Sequence, residues 1–432
     1  MTTNPEALGV WLEGRQVGTI LHLPPEKGDM SIFLFDTDYQ NDLDRPILSL
    51  SFLGRQNSLI YRPRYFNMRV HPFFANLLPE GKLRDYIAGN QGVNAKRDFF
   101  LLRALGADLP GGVVILPEEG GLIGLTGADH ERYDGHTGVY QEGEPLKFSL
   151  AGVQIKMSAV QNAKGGMTIP AYGRGGSWIL KLPSMHFDAV PENEFTMMHL
   201  ADMVGLPVPE THLLPMSEVE GLPTGMRRSE SLFAIRRFDR GAQGERIHME
   251  DFAQVFGQYP DQKYHKASYQ NIAKVLLQMG GVTEIQDFMR RIVFMAATGN
   301  GDMHLKNWSL LYRDGRKPTL SPVYDMLSTL PYVSLGHREA MGLSFSGSKA
   351  FHEFSSARIR RFAEKLEIDS DVLLTTAKNM AEIIPDAWQE WKRDAPMPKA
   401  MQQMVDEHMR NIPLFREVHP RWQTSRTLDG DT

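Results

Sequence analysis

The stretch GNGDMHLKN (residues 299–307) does most to decide the fold of this chain. It follows an apolar run with helical spacing that ends near Thr298, and its two glycines allow a tight loop. Asp302 and Asn307 are five residues apart, as are the Asp and the Asn in the catalytic loop H-R-D-x-x-x-x-N of protein kinases. In that loop the Asp accepts a hydroxyl proton and the Asn binds metal. The spacing therefore predicts a loop for phosphoryl transfer, with Asp302 as the base.

A second carboxylate lies downstream, in the segment SPVYDM (321–326). The run WSLLYRDGRKPTLSPV (308–323) predicts a β-hairpin with its turn at Asp314-Gly315, and this hairpin leads to Asp325. Mg²⁺ prefers hard oxygen ligands, commonly one or two carboxylates together with phosphate oxygens. Asn307 and Asp325 are therefore the predicted metal ligands.

A lysine and a glutamate upstream have the order expected of an ATP site. Lys181 closes the predicted strand SWILK (177–181), and Glu194 lies near the start of the predicted helix PENEFTMMHLADMVG (191–205). In kinases such a pair positions the α- and β-phosphates of ATP. Before it, SLAGVQ (149–154) follows a predicted strand and could let backbone N–H groups approach phosphates. With one glycine, this loop is not a Walker A sequence.

The order of predicted elements favours an α+β, two-lobed protein-kinase-like fold. Short β-like runs fill residues 10–53, and helical spacing follows at 72–87 and 96–105. A loop-bearing boundary is predicted near 116–145, and strand patterns resume at KFSLAGVQIKMSAV (147–160). Helices dominate beyond Glu250, in the runs EDFAQVF, YQNIAKVLLQM, EIQDFMRRIVFMAAT, ARIRRFAEKL, DVLLTTAKNMAEII and PKAMQQMVDEHMRNI.

We predict three parts from this order. They are an N-terminal, β-rich subdomain (1–115), a kinase N-lobe portion (116–245) and a mainly helical C-terminal lobe (246–432). Within the first part, VWLEGRQVGTI, SIFLF and ILSLSFL are the predicted strands.

Composition excludes several classes of function. The 432 residues contain no cysteine, which removes disulfides, thiolate metal sites and cysteine nucleophiles. With 47 basic and 52 acidic residues the net charge is −5, so there is no bulk positive field to bind nucleic acid. The sequence shows neither a signal peptide nor a run of apolar residues long enough to span a bilayer. We therefore expect a cytoplasmic enzyme with no membrane contact.

Motifs along nearly the whole chain resemble the HipA family of bacterial kinases. FSLAGVQIK is similar to the family's phosphate loop S-V-A-G-A-Q-E-K, and FAIRRFDR resembles its hinge strand V-E-R-F-D-R. HMEDFAQVFG, NGDMHLKN and SPVYDM resemble its later motifs, and ANLLPEGKLRDYI is similar to its leading domain. One departure is Arg236, which stands where the family commonly has Glu; a hinge that uses its backbone tolerates this change.

The resemblance implies an ATP- and Mg²⁺-dependent serine/threonine kinase, the toxin of a toxin–antitoxin pair that arrests growth. The positions concerned are Ser149 as an autophosphorylated serine, Ala151, Gly152, Val153 and Gln154 in the phosphate loop, Lys181 on ATP with Glu194 as its partner, Arg236, Arg237 and Phe238 in the adenine hinge, Asp302 as base, and Asn307 and Asp325 on Mg²⁺. His304 is placed in the nucleotide site as well; a metal ligand or a base is open to it, but the kinase spacing around it favours a structural role that orients Asp302.

It also implies partners. These are a small helix-turn-helix antitoxin resembling HipB, operator DNA bound mainly through that antitoxin, and a protein substrate, for which the family suggests an aminoacyl-tRNA synthetase.

The residues leave two other functions open. One is a small-molecule kinase of the aminoglycoside or sugar type, which shares the same Asp, Asn and second Asp. The other is a non-catalytic corepressor module. Such a module has no physical need for four residues that are present together, which speaks against it: Lys181, Asp302, Asn307 and Asp325.

Overall fold

The computed structural model describes residues 6–90, 92–118, 156–161, 167–168, 176–184, 186–222, 230–333 and 339–422. Within these residues the chain is an α+β protein, with sheets in its N-terminal half and long helices in its C-terminal half. No helix among them is both long and apolar enough to cross a membrane.

The N-terminal part is a five-stranded antiparallel sheet with short helices packed on it. The strand order is β4-β3-β2-β1-β5. Glu13 and Gly14 connect β1 to β2 with positive φ angles of 52° and 76°, as a tight two-residue hairpin requires. The elements are β1 (Glu6–Leu12), β2 (Arg15–Leu23), β3 (Met30–Phe35), α1 (Thr37–Asn41), β4 (Phe66–Asn67), α2 (Pro72–Ala75), α3 (Gly81–Asn90), α4 (Asp98–Leu105) and β5 (Val113–Pro117).

Two predictions in this part are wrong in detail. ILSLSFL (47–53) is not a strand but an irregular segment with one 3-10 turn, because its amides bond to side chains: Leu48 N–H to the Tyr39 hydroxyl at 3.2 Å and Leu50 N–H to the Glu250 carboxylate at 2.9 Å. The helix predicted over 72–87 is two helices, α2 and α3, separated by a segment that contains Pro79.

The second sheet has six strands in the order β10-β7-β6-β8-β11-β9, antiparallel apart from the short pair of β10 and β7. Helix α5 packs on β9 and β11, so the sheet carries Lys181 and the helix carries Glu194. The elements are β6 (Lys156–Gln161), β7 (Met167–Thr168), β8 (Trp178–Lys181), α5 (Val190–Met203), β9 (Thr211–Pro215), β10 (Val219–Glu220) and β11 (Ser231–Arg236).

The C-terminal part is mainly helical around one large apolar core. The predicted hairpin after the catalytic loop is confirmed as β13 and β14, and β12 pairs with the other edge of β13. The elements are β12 (His248–Asp251), α6 (Phe252–Val255), α7 (Tyr269–Thr298), β13 (Ser309–Tyr312), β14 (Thr319–Leu320), β15 (Ala340–Phe345), β16 (Ser348–Ala350), α8 (Ser356–Glu364), α9 (Ser370–Trp391), α10 (Lys399–Asn411) and α11 (Pro413–Val418).

Two helix predictions change here. The helix predicted to start at Glu250 starts at Phe252, because Glu250 and Asp251 belong to β12 and Asp251 caps the helix through its side chain. The two runs predicted as separate helices join in α7, which is interrupted only at Gly281 (φ 69°, ψ −153°). Helix α7 ends at Thr298, and Gly299, whose φ is 65°, turns the chain into the predicted catalytic loop.

Candidate active site

Two lysines converge on Asp325, and one of them also pairs with Glu194. The Lys181 ammonium donates to both Glu194 Oε1 and Asp325 Oδ1, and Lys156 Nζ lies 3.0 Å from Asp325 Oδ2. Lys156 and Lys181 stand directly opposite each other on β6 and β8, which explains how both reach one carboxylate. The predicted lysine–glutamate pair is therefore present as an ion pair, and it extends across the cleft to the C-terminal part.

Burial and charge act together in this cluster. Lys181 and Glu194 are buried, with side chains 4% and 1% exposed. Burial by itself would lower the pKa of Lys181, but the carboxylates of Asp325 and Glu194 outweigh it and raise that pKa. For Asp325 burial acts in the other direction and would raise the pKa, but Lys156 and Lys181 outweigh burial and hold that pKa well below its usual range. At neutral pH Lys181 is thus cationic and Asp325 anionic.

The backbone at Asp325 is held in an uncommon conformation. Its φ of 54° lies in the left-handed region, which Asp tolerates better than most residues. The Asn300 side chain donates to the Asp325 carbonyl at 3.2 Å. Tyr324, next in the chain, contacts Ser309 Oγ at 2.6 Å and donates to the Lys306 carbonyl at 2.9 Å. These bonds fix the segment that holds the Asp325 carboxylate against Lys181 and Lys156.

Asp302 lies in a loop fixed by hydrogen bonds from its own residues. Asn307 Nδ2 donates to the Asp302 carbonyl at 2.8 Å, and the Asp302 amide donates to Asn300 Oδ1 at 3.0 Å. The Tyr264 hydroxyl donates to the Asp302 carboxylate, which is 45% exposed. Burial and the adjacent Asp302 raise the pKa of Tyr264, so it remains a donor. A carboxylate this exposed and this firmly held is suited to accept a proton from an approaching hydroxyl.

His304 is buried beside this carboxylate but does not hydrogen-bond to it. Its Nε2 lies 3.9 Å from Asp302 Oδ1, and its ring meets the Tyr264 ring edge-on. Burial lowers the pKa of His304 to about 4, so the ring is neutral at physiological pH. In this structure the contact that orients Asp302 comes from Tyr264, with His304 packed behind it.

The three hinge positions have separate surroundings. Arg236 is exposed and its amide donates to the Glu210 carbonyl at 2.9 Å. Arg237 is buried and donates twice to Asp239, at 2.9 and 2.8 Å. Phe238 packs on the Tyr324 ring, with 5.4 Å between centroids. The Arg237 side chain is therefore committed to an ion pair, and its backbone amide donates to the Ser177 carbonyl at 2.7 Å.

The phosphate-loop residues Ser149, Ala151, Gly152, Val153 and Gln154 lie outside the described residues.

Sequence reasoning missed two functional candidates. Lys156 is the last residue of the motif FSLAGVQIK. Its contact with Asp325 depends on the register of β6 against β8, which places Lys156 opposite Lys181. Tyr264 precedes α7 in an irregular segment, where no periodicity marks it, and it meets Asp302 across 38 residues of sequence.

The residues present fit Mg²⁺. Asp325 is an ionised carboxylate whose two oxygens pair with Lys181 and Lys156, and the Asn307 amide nitrogen donates to the Asp302 carbonyl, which leaves the Asn307 amide oxygen to bind a metal. No group of three or more His, Cys, Asp or Glu side chains suited to a metal occurs in the part of the chain that the structure describes. An oxygen pair completed by phosphate oxygens is the arrangement that Mg²⁺ uses in kinases.

The site combines elements from both halves of the chain. The second sheet carries Lys181, helix α5 carries its partner Glu194, and the C-terminal part carries two aspartates. This arrangement is that of a kinase-like protein. Family models agree with this class: the HipA N-terminal domain matches residues 8–116, and the HipA-like C-terminal domain matches residues 148–388. The chain belongs to the HipA family of kinases.

Individual relatives support the assignment. Y4dM, a kinase-named protein of Sinorhizobium fredii, is 44% identical over 413 residues, covering 95% of this chain and 98% of its own. The serine/threonine-protein kinase toxin HipA of Shewanella oneidensis is 26% identical over 355 residues, covering 74% of this chain and 76% of its own. A solved chain from the complex of HipA, HipB and operator DNA of Shewanella oneidensis matches with a TM-score of 0.68 at 21% identity, covering 96% and 99% of the two chains. The predicted family and fold are confirmed.

Proposed function

We propose that this protein is an ATP- and Mg²⁺-dependent serine/threonine kinase that acts in the cytoplasm as the toxin of a toxin–antitoxin pair. The observation that carries the proposal is the convergence of Lys181, Glu194 and Asp325 in one buried cluster, because it joins both halves of the cleft. An idle scaffold gains little from burying three charges, whereas a kinase needs them on the phosphates.

The proposed chemistry is in-line phosphoryl transfer. Asp302 accepts the proton of a Ser or Thr hydroxyl while the hydroxyl oxygen bonds to the γ-phosphorus of ATP and the bond to the ADP oxygen breaks. Lys181, held by Glu194, is placed on the α- and β-phosphates. Asn307 and Asp325 would hold Mg²⁺, which when bound offsets phosphate charge.

A protein substrate is favoured by the exposure of Asp302. Its carboxylate is 45% exposed, so a side-chain hydroxyl on another protein reaches it without enclosure. We place self-modification at Ser149, where a phosphate adds nearly two negative charges and would repel ATP. The antitoxin is proposed to be a small helix-turn-helix protein that brings operator DNA; the fold's likeness to a chain solved with HipB and operator DNA supports this, as does the net charge of −5.

The experiment is an assay with γ-labelled ATP and Mg²⁺ on cell lysate, followed by mass spectrometry of the labelled proteins. Wild type is expected to label serine or threonine in one or a few proteins and in Ser149, and Asp302→Asn, its matched control, is expected to label none. Label that appears only in small molecules would favour a sugar or aminoglycoside kinase, and the absence of any label would leave a corepressor module.

A further inference from the structure

One carboxylate of the N-terminal part, Glu80, reaches the loop that carries Asp302 and Asn307. Glu80 Oε1 lies 3.0 Å from Lys306 Nζ, and Glu80 Oε2 lies 3.0 Å from Lys263 Nζ. Glu80 precedes α3 in the N-terminal part, whereas both lysines belong to the C-terminal part. One side chain therefore bridges two segments that are 43 residues apart in the sequence.

Each of these lysines adjoins a residue of the site. Lys306 precedes Asn307, the proposed metal ligand, and Lys263 precedes Tyr264, which donates to Asp302. The two segments are also tied directly, since the Leu305 amide donates to the Lys263 carbonyl at 3.2 Å. A shift of Glu80 would thus be felt on both sides of the catalytic loop.

The charges around Glu80 are partly shielded from water. The side chains of Lys306 and Lys263 are 14% and 24% exposed. Burial would raise the pKa of Glu80, but the two lysines outweigh it and lower that pKa, so the carboxylate is ionised at neutral pH. Lys306 also donates to the Asn76 carbonyl at 2.9 Å, a second bond from the N-terminal part to the same ammonium.

The segment that carries Glu80 is itself anchored. Asn76 Nδ2 donates to the Gln258 carbonyl at 2.7 Å, and Gln254 Nε2 donates to the Phe73 carbonyl at 3.0 Å. These bonds hold α2 against α6 independently of Glu80. Removing the Glu80 charge should therefore leave the two parts docked and remove only the ion pairs to Lys306 and Lys263.

We propose that Glu80 is a positioning residue through which the N-terminal part sets the geometry of the catalytic loop. The role rests on the proposed kinase function. Glu80 touches neither nucleotide nor hydroxyl; it holds Lys306 and Lys263, and through their neighbours it fixes Asn307 and Tyr264. The N-terminal part is then a component of the active enzyme as well as an attached domain.

The test is steady-state kinetics of full-length Glu80→Gln with ATP, Mg²⁺ and the labelled substrate. We expect kcat to fall about 10-fold with KM for ATP unchanged, because small displacements of catalytic groups slow chemistry without weakening ground-state binding. The loss should be non-additive with that of Lys306→Gln, since both variants break the same contact. A kcat equal to wild type, a change confined to KM or additive losses would overturn the role.

Asp261→Asn is the matched control. Asp261 pairs with Arg69 at 3.3 Å across the same boundary between the parts, but it is 64% exposed and its pair does not include the catalytic loop. Its kcat should equal that of wild type, and both variants should unfold at the wild-type temperature. An equal fall of kcat in Asp261→Asn would show a general docking effect and overturn the role of Glu80. Wild type without phosphotransfer would overturn the kinase function itself, and the positioning role with it.

Discussion

At the scale of single residues, the proposed mechanism gives separate tasks to two carboxylates, Asp302 and Asp325. Asp325 is held ionised by two lysines at the mouth of the buried cluster, and Asp302 faces solvent with one phenol donating to it. We expect Asp302→Asn to lower phosphotransfer by about 100-fold or more while the Kd for ATP stays within about twofold, since a base acts in the transition state. Isothermal titration and single-turnover assays measure the two quantities. Undiminished turnover would remove Asp302 from the mechanism.

Lys181 and Lys156 both pair with Asp325, but Lys181 is buried and Lys156 is not. Substitutions of the two lysines should therefore affect stability differently. Lys181→Met would leave the buried Glu194 without its cation and Asp325 with Lys156 alone, so it should lower both ATP affinity and the free energy of unfolding, the latter by about 2–4 kcal/mol. Lys156 is 45% exposed, so Lys156→Met should leave the free energy of unfolding within about 0.5 kcal/mol of the wild-type value. It should still reduce ATP affinity. Chemical denaturation of both variants checks this, and an equal loss of stability would contradict it.

At the scale of elements, the sequence predicts well where a pattern is local. The hairpin of β13 and β14 and the strand of Lys181 follow from turn residues and short-range periodicity. ILSLSFL fails because two of its amides donate to a tyrosine hydroxyl and to a carboxylate, the latter 200 residues away. Lys156 and Tyr264 were missed for a related reason: strand register and loop contact are long-range properties that a local pattern does not contain.

Helix α7, which leads into the catalytic loop, offers a test of its interruption. Gly281 has a φ of 69° with open space where a Cβ would stand, so Gly281→Ala introduces backbone strain without a clash. We expect it to lower the free energy of unfolding by about 1–2 kcal/mol. Gly89→Ala in α3 is the matched control, because its surroundings are equally open and its φ is not positive; it should be neutral or stabilising. Thermal unfolding that ranks the two variants alike would contradict the strain.

At the scale of the whole molecule, a buried carboxylate joins the N-terminal part to the C-terminal part. Glu250 accepts hydrogen bonds from Ser49, the Leu50 amide and Tyr312, and is fully buried. Burial raises the pKa of Glu250 to about 7 from its ordinary 4.5. The three hydrogen bonds lower this pKa and the nearby Asp251 raises it, but burial has the largest effect. Between about pH 4.5 and 7, therefore, the folded protein keeps a proton that the unfolded chain has released.

Glu250 therefore makes the free energy of unfolding depend on pH. Because the folded state binds more protons in this window, the Glu250 contribution to the free energy of unfolding falls as pH rises from about 4.5 to 7 and stays low above it. Glu250→Gln cannot titrate, so its stability relative to wild type should rise by about 2 kcal/mol across the window. His248, whose pKa burial lowers to about 4, titrates in both proteins and cancels in the difference. Urea titrations at intervals from pH 5 to 8 measure this, with Glu364→Gln on the exposed face of α8 as the control; a pH-independent difference between Glu250→Gln and wild type would show that Glu250 is ionised in the folded protein throughout.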